Sequence, residues 1–185
     1  GGTMNKAIGF VTDSTSDIPV EEAAKYEITI VPANIIFGGK SLRDGLDISR
    51  SELYRRMATE RLLPTTSSPS AGVFEETFES MLTRGFQKVL SIHPASNLSG
   101  IFNAARLAAA HFPGRVEVFE SGQVSMGTGV QLLAAAEAAT QGATLEAIRN
   151  LIAETRKRVH LVALLESLTN LAHSGRVPMV LAGIG

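Results

Sequence analysis

Short apolar runs alternate with amphipathic segments of helical length along most of this 185-residue chain. The run from Lys6 to Thr12 predicts a buried strand that ends at Asp13, and Pro19 opens a helix that reaches about Tyr26. Further strands are expected at 87–92, 116–119 and 161–165. An alternation of this kind favours a parallel sheet covered by helices on both faces. We therefore predict a three-layer α/β fold whose ligand lies beyond the carboxyl ends of the strands.

Hydroxyl residues mark the expected starts of several helices, because their side chains can accept a hydrogen bond from a free backbone N–H. The predicted helices run from Ser49 or Ser51 to about Glu60, from Ser70 to about Thr83, from Gly100 to His111, from just after Gly127 to about Thr140, from Thr144 to about Arg158, and from Glu166 to His173.

A small β excursion interrupts this alternation at about residues 28–48. Residues 28–31, 34–37 and 40–43 read as extended segments, and Gly38-Gly39 reads as a hairpin turn. The excursion belongs to an N-terminal α/β domain predicted over residues 4–158. The apolar end of the chain is expected to pack into further structure, so we predict that 159–185 begin a second α/β domain whose remainder is absent.

Three stretches rich in hydroxyl residues each follow an apolar run, at 11–17, 64–70 and 93–100. The predicted topology brings all three to the carboxyl edge of the sheet. Hydroxyl groups and the N–H groups of helix starts are suited to bind an anionic head group without a metal ion. The sequence therefore predicts a binding site before it predicts a reaction.

The charge and composition of the chain limit the classes of binding partner that we expect. The net charge of −1 provides no field to attract nucleic acid, and we expect at most transient membrane contact. The chain has no cysteine, which removes disulfides and thiolate chemistry and fits the cytoplasm. No apolar run reaches the roughly 20 residues of a membrane span, and the start lacks a signal-peptide pattern.

The alternative is an enzymatic function, namely that of a small hydrolase or phosphatase that uses Asp13 or Ser14. Asp13 stands at a strand end, where some phosphatases place a nucleophilic carboxylate, but Thr15 occupies the position of their second aspartate. A serine hydrolase would need a Gly-x-Ser-x-Gly elbow, which is missing, although His93 and His173 are available bases. Gly122 and Gly127 match neither a P-loop nor a dinucleotide fingerprint.

Four separated motifs carry a family resemblance: Thr12-Asp13-Ser14-Thr15-Ser16-Asp17-Ile18-Pro19, Thr66-Ser67-Ser68-Pro69-Ser70, Ser96-Asn97-Leu98-Ser99-Gly100 and Gly175-Arg176-Val177. In order and spacing they resemble the DegV family. The resemblance covers the chain from Lys6 onward. It implies a two-domain carrier that binds a long-chain fatty acid, is not itself an enzyme, needs no other cofactor, and presents the acid to an ATP-dependent fatty acid kinase for phospholipid synthesis.

The resemblance also implies roles for individual residues. Thr66 and Ser96 match the hydroxyl residues that bind the carboxylate in that family. The expected supporting residues are Asp13, Ser14, Ser67, Asn97, Ser99, Gly100 and Arg176. Ala95 stands where the family commonly has a serine, and Ile101-Phe102 stand where it has Thr-Tyr, which puts the shape of the head-group site in doubt. The family also has a head-group histidine in a segment that lies beyond residue 185.

Overall fold

The computed structural model describes residues 6–165 and 174–176. Seven strands are present in this part of the chain: β1 Lys6–Asp13, β2 Thr29–Val31, β3 Asn34–Phe37, β4 Lys40–Arg43, β5 Thr65–Ser67, β6 Phe86–His93 and β7 Val116–Glu120. The helices are α1 Val20–Lys25, α2 Arg50–Glu60, α3 Ala71–Thr83, α4 Ile101–Ala109, α5 Met126–Thr140 and α6 Leu145–Arg158. A 3₁₀ turn spans Ser14–Ser16.

The main sheet has four parallel strands in the order β2-β1-β6-β7. Successive side chains of a strand point to opposite faces, so Val11 and Val89 join a core cluster with α3 and α4. Phe10 and Leu90 join a second cluster on the other face, with α1, α5 and α6. Helices therefore cover both faces, and the predicted three-layer α/β fold is confirmed.

A second, antiparallel sheet has the strand order β4-β3-β5 and corresponds to the predicted β excursion. The hairpin between β3 and β4 turns at Gly38 and Gly39, whose φ angles are 57° and 76°. Glycine adopts this left-handed conformation without a Cβ penalty. Ile35 and Phe37 of this sheet pack with Ile48 and with Leu53 and Met57 of α2.

The polar composition of residues 64–69 predicts a loop between α2 and α3, and this prediction is wrong for Thr65–Ser67. These residues form β5, which pairs with β3 through Thr66↔Ile35 and Ser67↔Asn34. All three side chains are exposed and polar, so no apolar alternation marks the strand. Backbone pairing with β3, not side-chain burial, makes this segment extended.

The predicted N-caps Ser49, Ser70 and Thr144 are confirmed, because each side chain accepts a hydrogen bond from the backbone N–H three residues later. Ser49 rather than Ser51 caps α2.

The strand expected at 161–165 is wrong. These residues have no regular structure, and Val162 and Leu164 are 91% and 99% exposed. An apolar run forms a strand only where another strand satisfies its backbone groups, and none of the described strands pairs with it. The helix expected at 166–173 lies outside the described residues. The division at 158 stays a prediction. Of the helices in the described ranges, none is long and apolar enough to cross a bilayer.

Candidate functional site

The three hydroxyl-rich stretches border one cavity of about 670 Å³. It lies beyond the carboxyl ends of β1 and β6, between the parallel sheet and the exposed strand β5. Its described lining consists of Thr15, Ala33, Thr66, Ser67, Ser68, Pro94, Leu98, Ser99, Gly100, Ile101, Val124, Ser125 and Arg176. The volume lies within the range of sites for small molecules, and the lining combines hydroxyl groups with apolar side chains.

The second and third stretches approach each other closely at Gly100. A Cβ atom at this position would lie 3.0 Å from the Ser68 Oγ, so a side chain here would have to displace the Ser68 hydroxyl by a few tenths of an ångström. Asn34 also reaches the second stretch, since its Nδ2 donates to the Ser68 carbonyl oxygen at 3.5 Å. The convergence predicted from the topology is therefore present in the fold.

Arg176 lines the cavity beside Leu98 and Thr66, and this part of the lining is called the Thr66–Arg176 end. Its Nε donates to the Leu98 carbonyl oxygen at 3.3 Å, and its Nη2 donates to the Thr66 Oγ1 at 3.5 Å. Among the described lining residues, Arg176 alone carries a charged side chain. This end of the cavity is consequently suited to an acceptor or an anion.

The predicted site residues fall into three groups. Thr66, Ser67, Ser99, Gly100 and Arg176 line the cavity. The second group lies behind the lining, and the third group lies on the outer surface.

Asp13 and Ser14 lie behind the lining. Asp13 is fully buried, and the Ser14 Oγ accepts a hydrogen bond from the Ala33 N–H at 2.9 Å. That bond joins the first hydroxyl-rich stretch to the segment leading into β3.

Ser96 and Asn97 are exposed and do not belong to the described lining. The Ser96 N–H donates to the Glu120 Oε1 at 2.7 Å. Hydrogen bonds from the side chain and backbone of Ser96 hold the pKa of Glu120 below its ordinary value. The carboxylate-binding role of Ser96 stays a prediction.

The N–H groups expected to serve an anion are already occupied at two helix starts. The Ser99 Oγ accepts from the Ile101 N–H at 3.2 Å, and the Ser70 Oγ accepts from the Val73 N–H at 3.4 Å. Side-chain hydroxyl groups and the Arg176 guanidinium are thus the polar groups available to a ligand, rather than these amides.

A buried hydrogen-bonded network lies directly behind Thr15. Asp13 Oδ2 contacts His93 Nδ1 at 2.7 Å, and His93 Nε2 contacts Ser91 Oγ at 2.6 Å. Asp13 Oδ1 accepts from both the N–H and the hydroxyl of Thr15. The ring of Phe74 meets His93 edge-on, with a centroid separation of 5.0 Å.

The side chains of Ser91, His93 and Asp13 follow the order of a catalytic triad but have 0% exposure. None of the three belongs to the described cavity lining. This arrangement gives Ser91 and Asp13 no access to a substrate, and the Ser14 Oγ is engaged with the backbone. The geometry supports a structural use of these groups.

Sequence reasoning missed Thr15, Ser68 and Ser125 as lining residues. Thr15 and Ser68 belong to the first and second hydroxyl-rich stretches. Their hydroxyl side chains at the predicted edge of the sheet could therefore have identified them as lining residues. Ser125 carried no such signal, because its segment reads as a glycine turn. Its φ of 52° and ψ of −141° are rare for a residue with a side chain, and its Oγ donates to Asp17 Oδ2 at 2.5 Å.

Asp17 also pairs with Arg50 of α2, so it joins the first loop to two other elements. As for metal ions, no group of three or more His, Asp or Glu side chains is placed to hold one within the described parts of the chain.

A family model described as an uncharacterised protein of the DegV family matches residues 7–185. A DegV domain-containing protein of Listeria innocua is 33% identical over 183 residues, which are 98% of this chain and 65% of that protein. Another from Caldanaerobacter subterraneus is 36% identical over 179 residues, covering 96% of this chain and 63% of that protein. The chain thus spans less than two thirds of the length of these relatives.

Solved structures with the same fold include proteins that bind fatty acids. A fatty-acid-binding DegV family protein of Thermus thermophilus has a TM-score of 0.76 at 34% identity, over 82% of this chain and 54% of that one. DegV of Bacillus subtilis, a fatty acid binding protein, has a TM-score of 0.75 at 30% identity, over 82% and 54%. A stearic-acid-binding protein of Eubacterium ventriosum has a TM-score of 0.79 at 28% identity, over 97% and 64%.

Proposed function

Because this chain belongs to the DegV family, we propose that it binds one long-chain fatty acid with the carboxyl group at the Thr66–Arg176 end of the cavity. One observation carries the proposal: a guanidinium group and a hydroxyl group meet at one end of a cavity that also has apolar walls. A fatty acid has the matching division between a polar head and an apolar tail. The relatives from Thermus and Bacillus that bind fatty acids support it.

The tail supplies most of the expected affinity. Burial of a methylene group contributes about 0.8 kcal/mol, so about fourteen methylenes give a gross term near 11 kcal/mol. A neutral hydrogen bond contributes only about 0.5–1.5 kcal/mol, and one to a charged group about 1.5–3 kcal/mol. Thr66 and Arg176 therefore orient the acid and distinguish its head group, while the hydrophobic effect retains it.

We further propose that the protein is a carrier rather than an enzyme. It would present the acid to an ATP-dependent kinase, in the cytoplasm, for conversion to an acyl phosphate used in phospholipid synthesis. The burial of Asp13, His93 and Ser91 supports the carrier role, since it leaves no exposed nucleophile–base pair among the described residues of the candidate site.

The first test is the mass spectrum of lipid released by denaturing the purified protein. We expect a copurified long-chain fatty acid in near-stoichiometric amount. Recovery of nucleotide instead of lipid, or of no small molecule together with failure to bind added fatty acid, would contradict the proposal.

The second test replaces the two head-group residues. Arg176→Gln should weaken binding of a fatty acid about tenfold or more, and Thr66→Val by a smaller factor, because charge-assisted hydrogen bonds exceed neutral ones. Displacement of a fluorescent fatty acid measures both. Arg55→Gln is the matched control, since Arg55 is an exposed arginine paired with Glu52 on α2. If Arg55→Gln weakened binding as much as Arg176→Gln, the loss of affinity would reflect the net charge of the protein and not a contact between Arg176 and the head group.

The hydrolase alternative predicts turnover of an ester or phosphoester by this chain alone, with loss of turnover in Asp13→Asn or Ser14→Ala. A colorimetric screen without any partner separates the two classes. We expect no turnover.

A further inference from the structure

A turn at residues 95–99 brings Leu98 and Ser99 into the cavity lining. Within this turn, the N–H groups of Leu98 and Ser99 both donate to the Ala95 carbonyl oxygen, at 3.0 and 3.2 Å. The middle of the turn is exposed, and a short exposed segment has few buried contacts of its own to resist local opening. The position of this part of the lining therefore depends on the groups that attach the turn to the rest of the fold.

Two charged side chains of opposite sign bind the backbone of the turn. The Glu120 Oε1 accepts a hydrogen bond from the Ser96 N–H at 2.7 Å. The Arg176 Nε donates to the Leu98 carbonyl oxygen at 3.3 Å. Hydrogen bonds that involve a charged group are roughly twice as strong as neutral ones. Glu120 thus holds the turn to which Arg176 is bound.

Glu120 is itself well placed to hold the turn. It is the last residue of β7, and its side chain is 29% exposed. While Oε1 accepts from Ser96, Oε2 lies 3.8 Å from the Nη2 of Arg156 on α6. The hydrogen bonds from Ser96 and the nearby Arg156 charge keep the pKa of Glu120 below its ordinary value, so the carboxylate is ionised at neutral pH. The turn is therefore attached through a charged group to the end of the parallel sheet.

We propose that Glu120 is a positioning residue for head-group binding: by holding the 95–99 turn, it fixes Arg176 at the Thr66–Arg176 end of the cavity. The inference rests on the proposed function. Glu120 does not belong to the described lining, so it acts through the turn and Arg176 and not on the ligand itself. Loss of its carboxylate frees the turn, and the Leu98 carbonyl oxygen then no longer restrains the guanidinium group. A group that is already in place binds more tightly, because less freedom is lost on binding.

The test is a double-mutant cycle in which a fluorescent fatty acid binds to four proteins: the unmodified chain, Glu120→Ala, Arg176→Gln and the double variant. We expect Glu120→Ala to weaken binding about fivefold when Arg176 is present and less than about twofold in the Arg176→Gln background. Glu120→Gln should retain most of the affinity, because its amide oxygen can still accept from the Ser96 N–H. Equal losses of affinity in the two backgrounds would overturn the inference, since a merely structural role would not depend on Arg176.

Glu117 provides the matched control. It also lies on β7, its side chain is 27% exposed, and its Oε2 accepts from the Arg149 Nε of α6 at 2.8 Å. Glu117→Ala should change the free energy of unfolding about as much as Glu120→Ala does, but it should leave the affinity for the fatty acid unchanged.

The outcomes separate the two proposals. If Glu117→Ala weakens binding as much as Glu120→Ala, or if Glu120→Ala binds as tightly as the unmodified protein, the role of Glu120 is wrong and the proposed function stands. If the unmodified protein does not bind the fatty acid, both are wrong.

Discussion

The two walls of the cavity are built in opposite ways. On the parallel-sheet wall, Thr15 rests on Asp13, His93 and Ser91, whose side chains have no exposed surface. On the small-sheet wall, Thr66 lies on the exposed strand β5 and meets Arg176, which is also exposed. Burial holds the first wall in one hydrogen-bonding state, because any other state leaves a polar group unpaired away from water. Solvent screens the charge of the second wall and can replace its contacts.

The same difference separates the cores beneath the two walls. Two clusters of buried side chains cover the two faces of the parallel sheet. The cluster beside the antiparallel sheet has three buried residues, Ile35 and Phe37 of β3 and Ile48 of the segment before α2. Substitutions should therefore act through stability on the first wall and mainly through binding on the second.

His93→Ala should produce the largest effect on stability. It removes the partner of two buried polar side chains, Asp13 and Ser91, and leaves a void beside Phe74. Loss of one member of a buried pair costs about 3–5 kcal/mol. Urea denaturation measures the free energy of unfolding. Thr66→Val on the opposite wall is the comparison and should change it by about 0.5 kcal/mol or less. A loss below about 1 kcal/mol for His93→Ala would show that the network is not structural.

The next largest effects on stability are expected from substitutions of two glycines, one in each sheet. A Cβ at Gly9 of β1 would lie 2.5 Å from the Met81 Cε and 2.9 Å from the Phe86 ring, so Gly9→Ala should cost about 1–3 kcal/mol by overpacking. Gly39 in the small-sheet hairpin has open space around it but a φ of +76°.

Gly39→Ala should therefore cost about 1–2 kcal/mol through its backbone conformation alone. Gly39→Asn should recover part of that loss, since Asn tolerates the left-handed region. Thermal unfolding of the three variants measures their relative stabilities. If Gly39→Asn is as unstable as Gly39→Ala, the turn conformation is not the cause.

The smallest effect concerns the exposed ion pair of the small sheet. Hydrogen bonds from the Arg43 side chain and backbone lower the pKa of Asp47 from 3.8 to about 2. A carboxyl group whose pKa is lowered by folding stabilises the protein above its unfolded value. The contribution of Asp47 should thus be fully present above about pH 4 and be lost as the pH falls through about 2.

The measurement is the difference in unfolding free energy between the unmodified protein and Asp47→Asn as a function of pH. The difference should shrink on acidification and should also shrink in high salt, because the pair is exposed. If the difference in unfolding free energy stayed constant as the pH fell to about 2, the lowered pKa of Asp47 would be contradicted.

Local features were predictable because they depend on neighbouring residues. The caps at Ser49, Ser70 and Thr144 and the hairpin at Gly38-Gly39 need only the chain around them. The apolar runs of β1 and β6 identify strands buried on both faces. The segment 161–165 has the same kind of run and is not a strand, since a strand needs a pairing partner that its own composition cannot supply.

Contacts between distant residues were not predictable from spacing. His93 and Asp13 are 80 residues apart, and Arg176 and Thr66 are 110 apart. The strand β5 exists because β3 offers it an edge, although its own residues are polar. Ser125 lines the cavity because its strained turn is held by Asp17, which belongs to another loop.

The sequence by itself determined the α/β architecture, the helix caps and the gathering of hydroxyl-rich stretches at one sheet edge, since these follow from local periodicity and from parallel topology. The tertiary structure alone decided which hydroxyl residues line the cavity and which partners their side chains have. Thr15 and Thr66 are the same residue type, but the Thr15 hydroxyl donates to the buried Asp13, whereas the Thr66 hydroxyl accepts from the exposed Arg176. The physical reason is that a hydroxyl group takes its hydrogen-bonding role from its surroundings.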